Sequence, residues 1–178
     1  YNIQDLCEHA GFEEVAYLLL YGELPDSSAL AQFNARLADE QAVPNAVYDV
    51  LRLVPPESDP MDWLKLAVAA LALHDPQAAE NGHEANLSKS VRLTAKLPAL
   101  VANGWRILRG QPVMPPVWEG SHAGRLLQTL SGEAPDPFAV CALNTTLILY
   151  AEHGFNASTF TARVTVSTQS DLYSGVVS

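Results

Sequence analysis

The residues whose types and spacing best suit chemistry lie between Tyr150 and Arg163. An apolar helical stretch through Leu143, Leu147, Ile148 and Leu149 delivers Glu152 and His153 at its end. The chain then turns at Gly154 and opens a second helix with Asn156, Ser158 and Thr159. The negative end of the first helix dipole favours a protonated imidazole at His153. The first turn of the second helix presents backbone N–H groups that suit an anion. A corner of this kind would hold a carboxylate. A plainer reading has Asn156 and Ser158 merely capping a helix while His153 lies at the surface, and spacing alone favours it.

Other chemistries find no footing. The chain carries no phosphate-binding glycine loop, dinucleotide fingerprint, zinc-protease histidine pair, nucleophile elbow or EF-hand loop. Its five histidines, at 9, 74, 83, 122 and 153, are scattered rather than set at metal-ligand spacing. His9, His74 and His83 read as surface residues. Cys7 and Cys141 stand far apart without a CxxC pair, which excludes a disulfide scaffold and a thiolate zinc site and suits a reducing cytoplasm. Ten Lys and Arg against twenty Asp and Glu give a net charge of −10, which argues against nucleic acid and against anionic lipid as partners. No stretch reaches the ~18 apolar residues of a membrane span, so no membrane role is expected. With 178 residues, 48% of them hydrophobic, the chain suffices for one domain with its own core.

The elements that must position this corner are helices. Phe12 to Tyr21 has helical apolar spacing, acids in its first turn, and Gly22 and Pro25 after it. Asp26 caps a second amphipathic stretch reaching about Gln41, and a short helix follows Pro44. Ser58-Asp59-Pro60-Met61-Asp62 opens an alanine-rich helix to Leu73 whose apolar residues occupy nearly every side. It is expected to be buried all round, or to meet a second subunit. A longer helix runs from about Glu84 to Arg109, with Pro98 expected to bend it. Short helical spacing around Leu126, Leu127 and Leu130 ends at Gly132, and Asp136-Pro137 begins a helix reaching about His153. Val164 to Thr168 alternates but sits inside helical periodicity, so no strand is expected and the fold class is all-α.

Family resemblance sharpens the corner. Ala151-Glu152-His153-Gly154 followed by Asn156-Ala157-Ser158-Thr159 resembles the His-x-x-Asn-Ala-Ser-Thr segment of the citrate synthase family, 2-methylcitrate synthases included. Phe12-Glu13-Glu14-Val15 with Gly22-Glu23-Leu24-Pro25, then Pro60-Met61-Asp62, Ala95-Lys96-Leu97-Pro98 and Ser131-Gly132-Glu133-Ala134-Pro135 are similar to further family segments in the same order. The resemblance implies a multi-helical citrate synthase-like large domain over residues 1–178, stopping before the small CoA-binding domain. It implies a homodimeric, cytoplasmic enzyme that condenses acetyl-CoA or propionyl-CoA with oxaloacetate and releases CoA, with no tightly bound cofactor.

His153 matches the family histidine that polarises the oxaloacetate ketone, and Asn156 the asparagine of the same pocket. The family's Gly-Pro-Leu-His-Gly-Gly-Ala-Asn segment, its second catalytic histidine and its aspartate base lie beyond Ser178. The chain alone is therefore expected to carry no catalytic residue and to be inactive. The alternative is a catalytically silent helical paralogue serving as a structural or dimerisation module. Asn144 stands where many family members have aspartate, Tyr150 where some have histidine, and Gly124-Arg125 breaks the usual Ala-Asn-Phe.

Overall fold

The computed structural model describes every residue except Trp118, Glu152, His153 and Phe155. Its elements are α1 (Ile3–His9), α2 (Phe12–Tyr21), α3 (Ser27–Glu40), α4 (Asn45–Leu51), α5 (Pro60–Ala72), α6 (His83–Leu108), α7 (His122–Ser131), α8 (Pro137–Ala151), α9 (Ala157–Ser167) and α10 (Leu172–Val177). No strand occurs among the described residues, and the Val164–Thr168 alternation lies mostly within α9.

Local signals set most boundaries. Asp26 Oδ1 accepts the Ala29 N–H at 2.8 Å, and Asp59 Oδ1 accepts the Met61 N–H at 2.8 Å with Pro60 at the first helical position. Such caps satisfy orphan donors at helix starts and are each worth about 1 kcal/mol. Gly22 and Gly132 close α2 and α7 at φ +89° and +83°, a left-handed region that a side chain resists.

Helix α6 is the axis of the molecule and packs on α3, α4, α5 and α7. It runs unbroken through Pro98. The main core joins α4, α5 and α6 through Val47, Leu51, Trp63, Ala67, Leu71 and Leu100, with Tyr173 of α10 closing it. A smaller core joins α2, α3 and α6 through Ala16, Phe33, Leu37, Val91 and Ala95. Trp63 lies against α6 at Gly104, where a Cβ would stand only 2.4 Å from the indole ring. Only glycine permits that approach.

Of the two readings of α5, burial on every side does not hold, and an apolar face is left exposed. α5 buries one face, through Trp63, Ala67, Val68, Ala70 and Leu71, but leaves Leu66, and Leu73 just past its end, at 43% and 86% exposure. Its alanines admit close packing on one side without requiring burial on all. Beyond Asn156 the chain forms two helices rather than one. The helical run breaks after α9, where Gln169 takes φ +65°, and restarts because Asp171 caps α10 through the Ser174 N–H at 2.9 Å.

Candidate functional site

Gly154 stands at the turn between α8 and α9 with φ +94°, a conformation that favours glycine. Asn156, half-buried, caps α9: its Oδ1 accepts the N–H groups of Ser158 at 2.8 Å and Thr159 at 3.1 Å. Two donors of the first turn are thus taken by the cap, and Nδ2 is the donor that the Asn156 side chain itself brings to the corner. His153 and Glu152 lie outside the described residues. Asn156 therefore caps α9, and the Ser158 and Thr159 N–H groups of the first turn are engaged by its Oδ1.

α8 is tied to α2 at Asn144, and α2 is tied to α7 at Glu13. Asn144 of α8 accepts the Phe12 N–H at 2.9 Å, so it caps the start of α2 across 132 residues. Glu13, buried beside it, accepts the His122 N–H at the start of α7 at 2.5 Å. Arg125 is buried near Glu13, and the His122 ring packs against Phe12 with centroids 4.9 Å apart. Burial first, then the Arg125 charge, pulls the His122 pKa down from 6.5 to about 4. Its Nδ1 has no hydrogen-bond partner. His122 is a neutral core histidine.

The α9 side is held through α10. Tyr173 donates its hydroxyl to Asp75 Oδ2 at 2.6 Å. Arg92 of α6 grips the same carboxylate in a fork, Nε to Oδ2 at 3.0 Å and Nη2 to Oδ1 at 3.0 Å, and also donates to Gln77 Oε1. Burial alone would raise the Asp75 pKa, but the Tyr173, Gln77 N–H and Arg92 hydrogen bonds overcome it and hold the carboxyl below its ordinary value. Burial and the Asp75 charge push the Tyr173 hydroxyl up, so it stays a donor. Lys96 completes a half-open cavity of about 320 Å³ with Glu40, His74 and Tyr173, and burial lowers its pKa despite Glu40 nearby.

Sequence reasoning missed this network because its members are far apart: Arg92 stands 17 residues and Tyr173 98 residues from Asp75. Asp75-Pro76 carries only the signal of a helix stop. His9, His74 and His83 are exposed, as expected. Among the described residues, no group of three His, Cys, Asp or Glu side chains could hold a metal ion, and no helix is long and apolar enough to cross a membrane.

An all-helical body with a capped helix corner and buried polar ties behind α8 and α10 defines the structural class. Residues 1–178 match the family described as "Citrate synthase, C-terminal domain". Citrate synthase 2 of Bacillus subtilis (strain 168) is 44% identical over 177 residues, covering 99% of this chain and 48% of that protein. The 2-methylcitrate synthase of Mycobacterium tuberculosis (strain ATCC 35801 / TMC 107 / Erdman) is 42% identical over 176 residues, covering 99% of this chain and 44% of that protein. The citrate synthase of the archaeon Thermoplasma acidophilum, solved as a ternary complex with carboxymethyl coenzyme A and oxaloacetate, superposes with a TM-score of 0.92 at 31% identity, over 99% of this chain and 46% of that one. The chain belongs to the citrate synthase family, and it spans about half the length of the curated relatives it matches.

Proposed function

We propose that this chain serves an acyltransferase that condenses acetyl-CoA or propionyl-CoA with oxaloacetate, giving citrate or 2-methylcitrate and free CoA. Its 178 residues form part of the large helical domain, and the CoA-binding small domain lies outside them. The observation that carries this reading is the Gly154–Asn156 corner, built where the family segment bearing the oxaloacetate histidine falls in a chain about 40% identical to named synthases. Those names favour an enzyme over a silent helical module.

In this reading His153 donates to the ketone oxygen of oxaloacetate. A donor placed there stabilises the alkoxide that develops as the carbon–carbon bond forms. Asn156 fixes the start of α9 through Oδ1 and is the asparagine of the same pocket. Acyl-CoA is a substrate, and no tightly bound cofactor is required. The enzyme works as a cytoplasmic homodimer in the tricarboxylic acid cycle or its propionyl counterpart. Free thiols at Cys7 and Cys141 suit that compartment. Pairing is supported by apolar side chains left in solvent on α5 and just past its end, such as Leu66 and Leu73, and on α8, such as Phe138 and Tyr150.

Calorimetric titration of oxaloacetate into the chain tests this reading. Saturable binding, with malate weaker because it lacks the ketone, is expected. Absence of binding, or equal binding of malate, would overturn it.

A further inference from the structure

The two helices of the corner are secured differently. α8 packs on α1, α2 and α7, whereas the principal helix neighbour of α9 is α10, and α9 buries no residue of its own. α10 in turn packs on α5. Its Tyr173, only 3% exposed, is fixed by the hydroxyl bond to Asp75, whose carboxylate is clamped by Arg92 of α6. Two residues on, Gly175 is buried against α9, and a Cβ there would stand 2.8 Å from Val166 Cγ1 and 3.6 Å from the Ala162 carbonyl. The C-terminal half of α9 is thus connected to the core through Val166, Gly175, Tyr173 and Asp75, and the helix itself carries that connection to Asn156 at its other end.

We infer that Tyr173 and Gly175 are positioning residues for the keto-acid corner: the Tyr173–Asp75 bond locates α10, and the Gly175 contact passes that location to α9 and Asn156. This rests on the proposed oxaloacetate function of the corner. None of these side chains needs to touch substrate. Their effect is to decide where the Asn156 end of α9 stands relative to the end of α8, and small displacements of positioning groups are costly in binding and rate.

The test uses three variants of the chain. Tyr173→Phe keeps the ring and removes the hydroxyl bond. Gly175→Ala forces the Cβ onto Val166. Gly175→Ala combined with Val166→Ala removes the atom it strikes. Amide hydrogen exchange without ligand reads the tether, and oxaloacetate titration followed at the Asn156 side-chain amide and the Ala157 amide by NMR reads the corner. Losing one hydrogen bond of ordinary worth should speed α9 exchange and weaken oxaloacetate roughly 5-fold in Tyr173→Phe, with α6 exchange unchanged. Gly175→Ala should do the same, and Val166→Ala should restore it.

Wild-type exchange in α9 and wild-type affinity in both Tyr173→Phe and Gly175→Ala would overturn the tether while leaving the oxaloacetate reading intact. Wild-type spectra that do not move with oxaloacetate would overturn that reading and, with it, the positioning role. Faster α9 exchange without rescue by Val166→Ala would overturn the Gly175 contact as the link.

Discussion

The two polar clusters behind α8 and α10 solve the same problem with different chemistry. Beside α8, Glu13 accepts a backbone N–H from α7, Asn144 accepts one from α2, and the neighbouring histidine stays neutral with one ring nitrogen unpartnered. Beside α10, a carboxylate, a guanidinium and a phenol form a closed ionic network in which Asp75 is only 4% exposed at its side chain. The first cluster joins helix ends through main-chain donors, so it depends on where those ends stand. The second joins side chains from α6, α10 and the turn after α5, so each member depends on the others' charge. The α8 side should therefore be sensitive to histidine protonation, and the α10 side to loss of any one partner.

The largest effect is expected at Asp75. Asp75→Ala takes away the acceptor of Tyr173 and the ion-pair partner of Arg92, which keeps only Gln77 Oε1, and removing one partner of a buried ion pair costs about 3–5 kcal/mol. Urea unfolding should show that loss, whereas a change below about 1 kcal/mol would mean the network contributes little. The bidentate fork makes Asp75→Glu no remedy, because the longer side chain misplaces both oxygens.

Next comes acid. His122 titrates near 4 in the folded chain and near 6.5 when unfolded, so between those values the unfolded state binds more protons. The stability it contributes is complete above about pH 6.5 and falls as pH drops towards 4, by up to about 3 kcal/mol if the whole shift is expressed. Unfolding free energies for wild type and His122→Gln across pH 4 to 7 check this. The variant should show the flatter profile, and parallel profiles would remove His122 as the cause.

A smaller effect is expected at Asn144. Asn144→Ala orphans the Phe12 N–H and should cost about 1 kcal/mol. Asn144→Asp keeps the acceptor and should stay within a few tenths of wild type in thermal unfolding. A large loss in Asn144→Asp would show that charge, rather than the acceptor, decides this position.

Much of the fold was legible because its signals are local. Asp26, Asp59-Pro60, Gly22 and Gly132 mark helix ends within a few residues, and the structure places them there. The break before α10 was hidden because Thr168-Gln169-Ser170 holds neither glycine nor proline, and Gln169 enters the left-handed region without the usual residue for it. At the corner, Asn156 was legible as a cap from its type and place alone. The Asp75–Arg92–Tyr173 network was not, since side chains 98 residues apart meet only when α10 folds back onto α5. Nor does periodicity tell a helix buried on every side from one with an exposed apolar face, as Leu66 of α5 shows.

The most direct trial of the central claim is the oxaloacetate affinity of His153→Ala beside wild type, measured by calorimetry at pH 7. If imidazole and the Asn156 turn hold the keto acid together, the variant should bind roughly 10-fold or more weakly, the worth of a charge-assisted hydrogen bond. Equal affinity in the two proteins would contradict it.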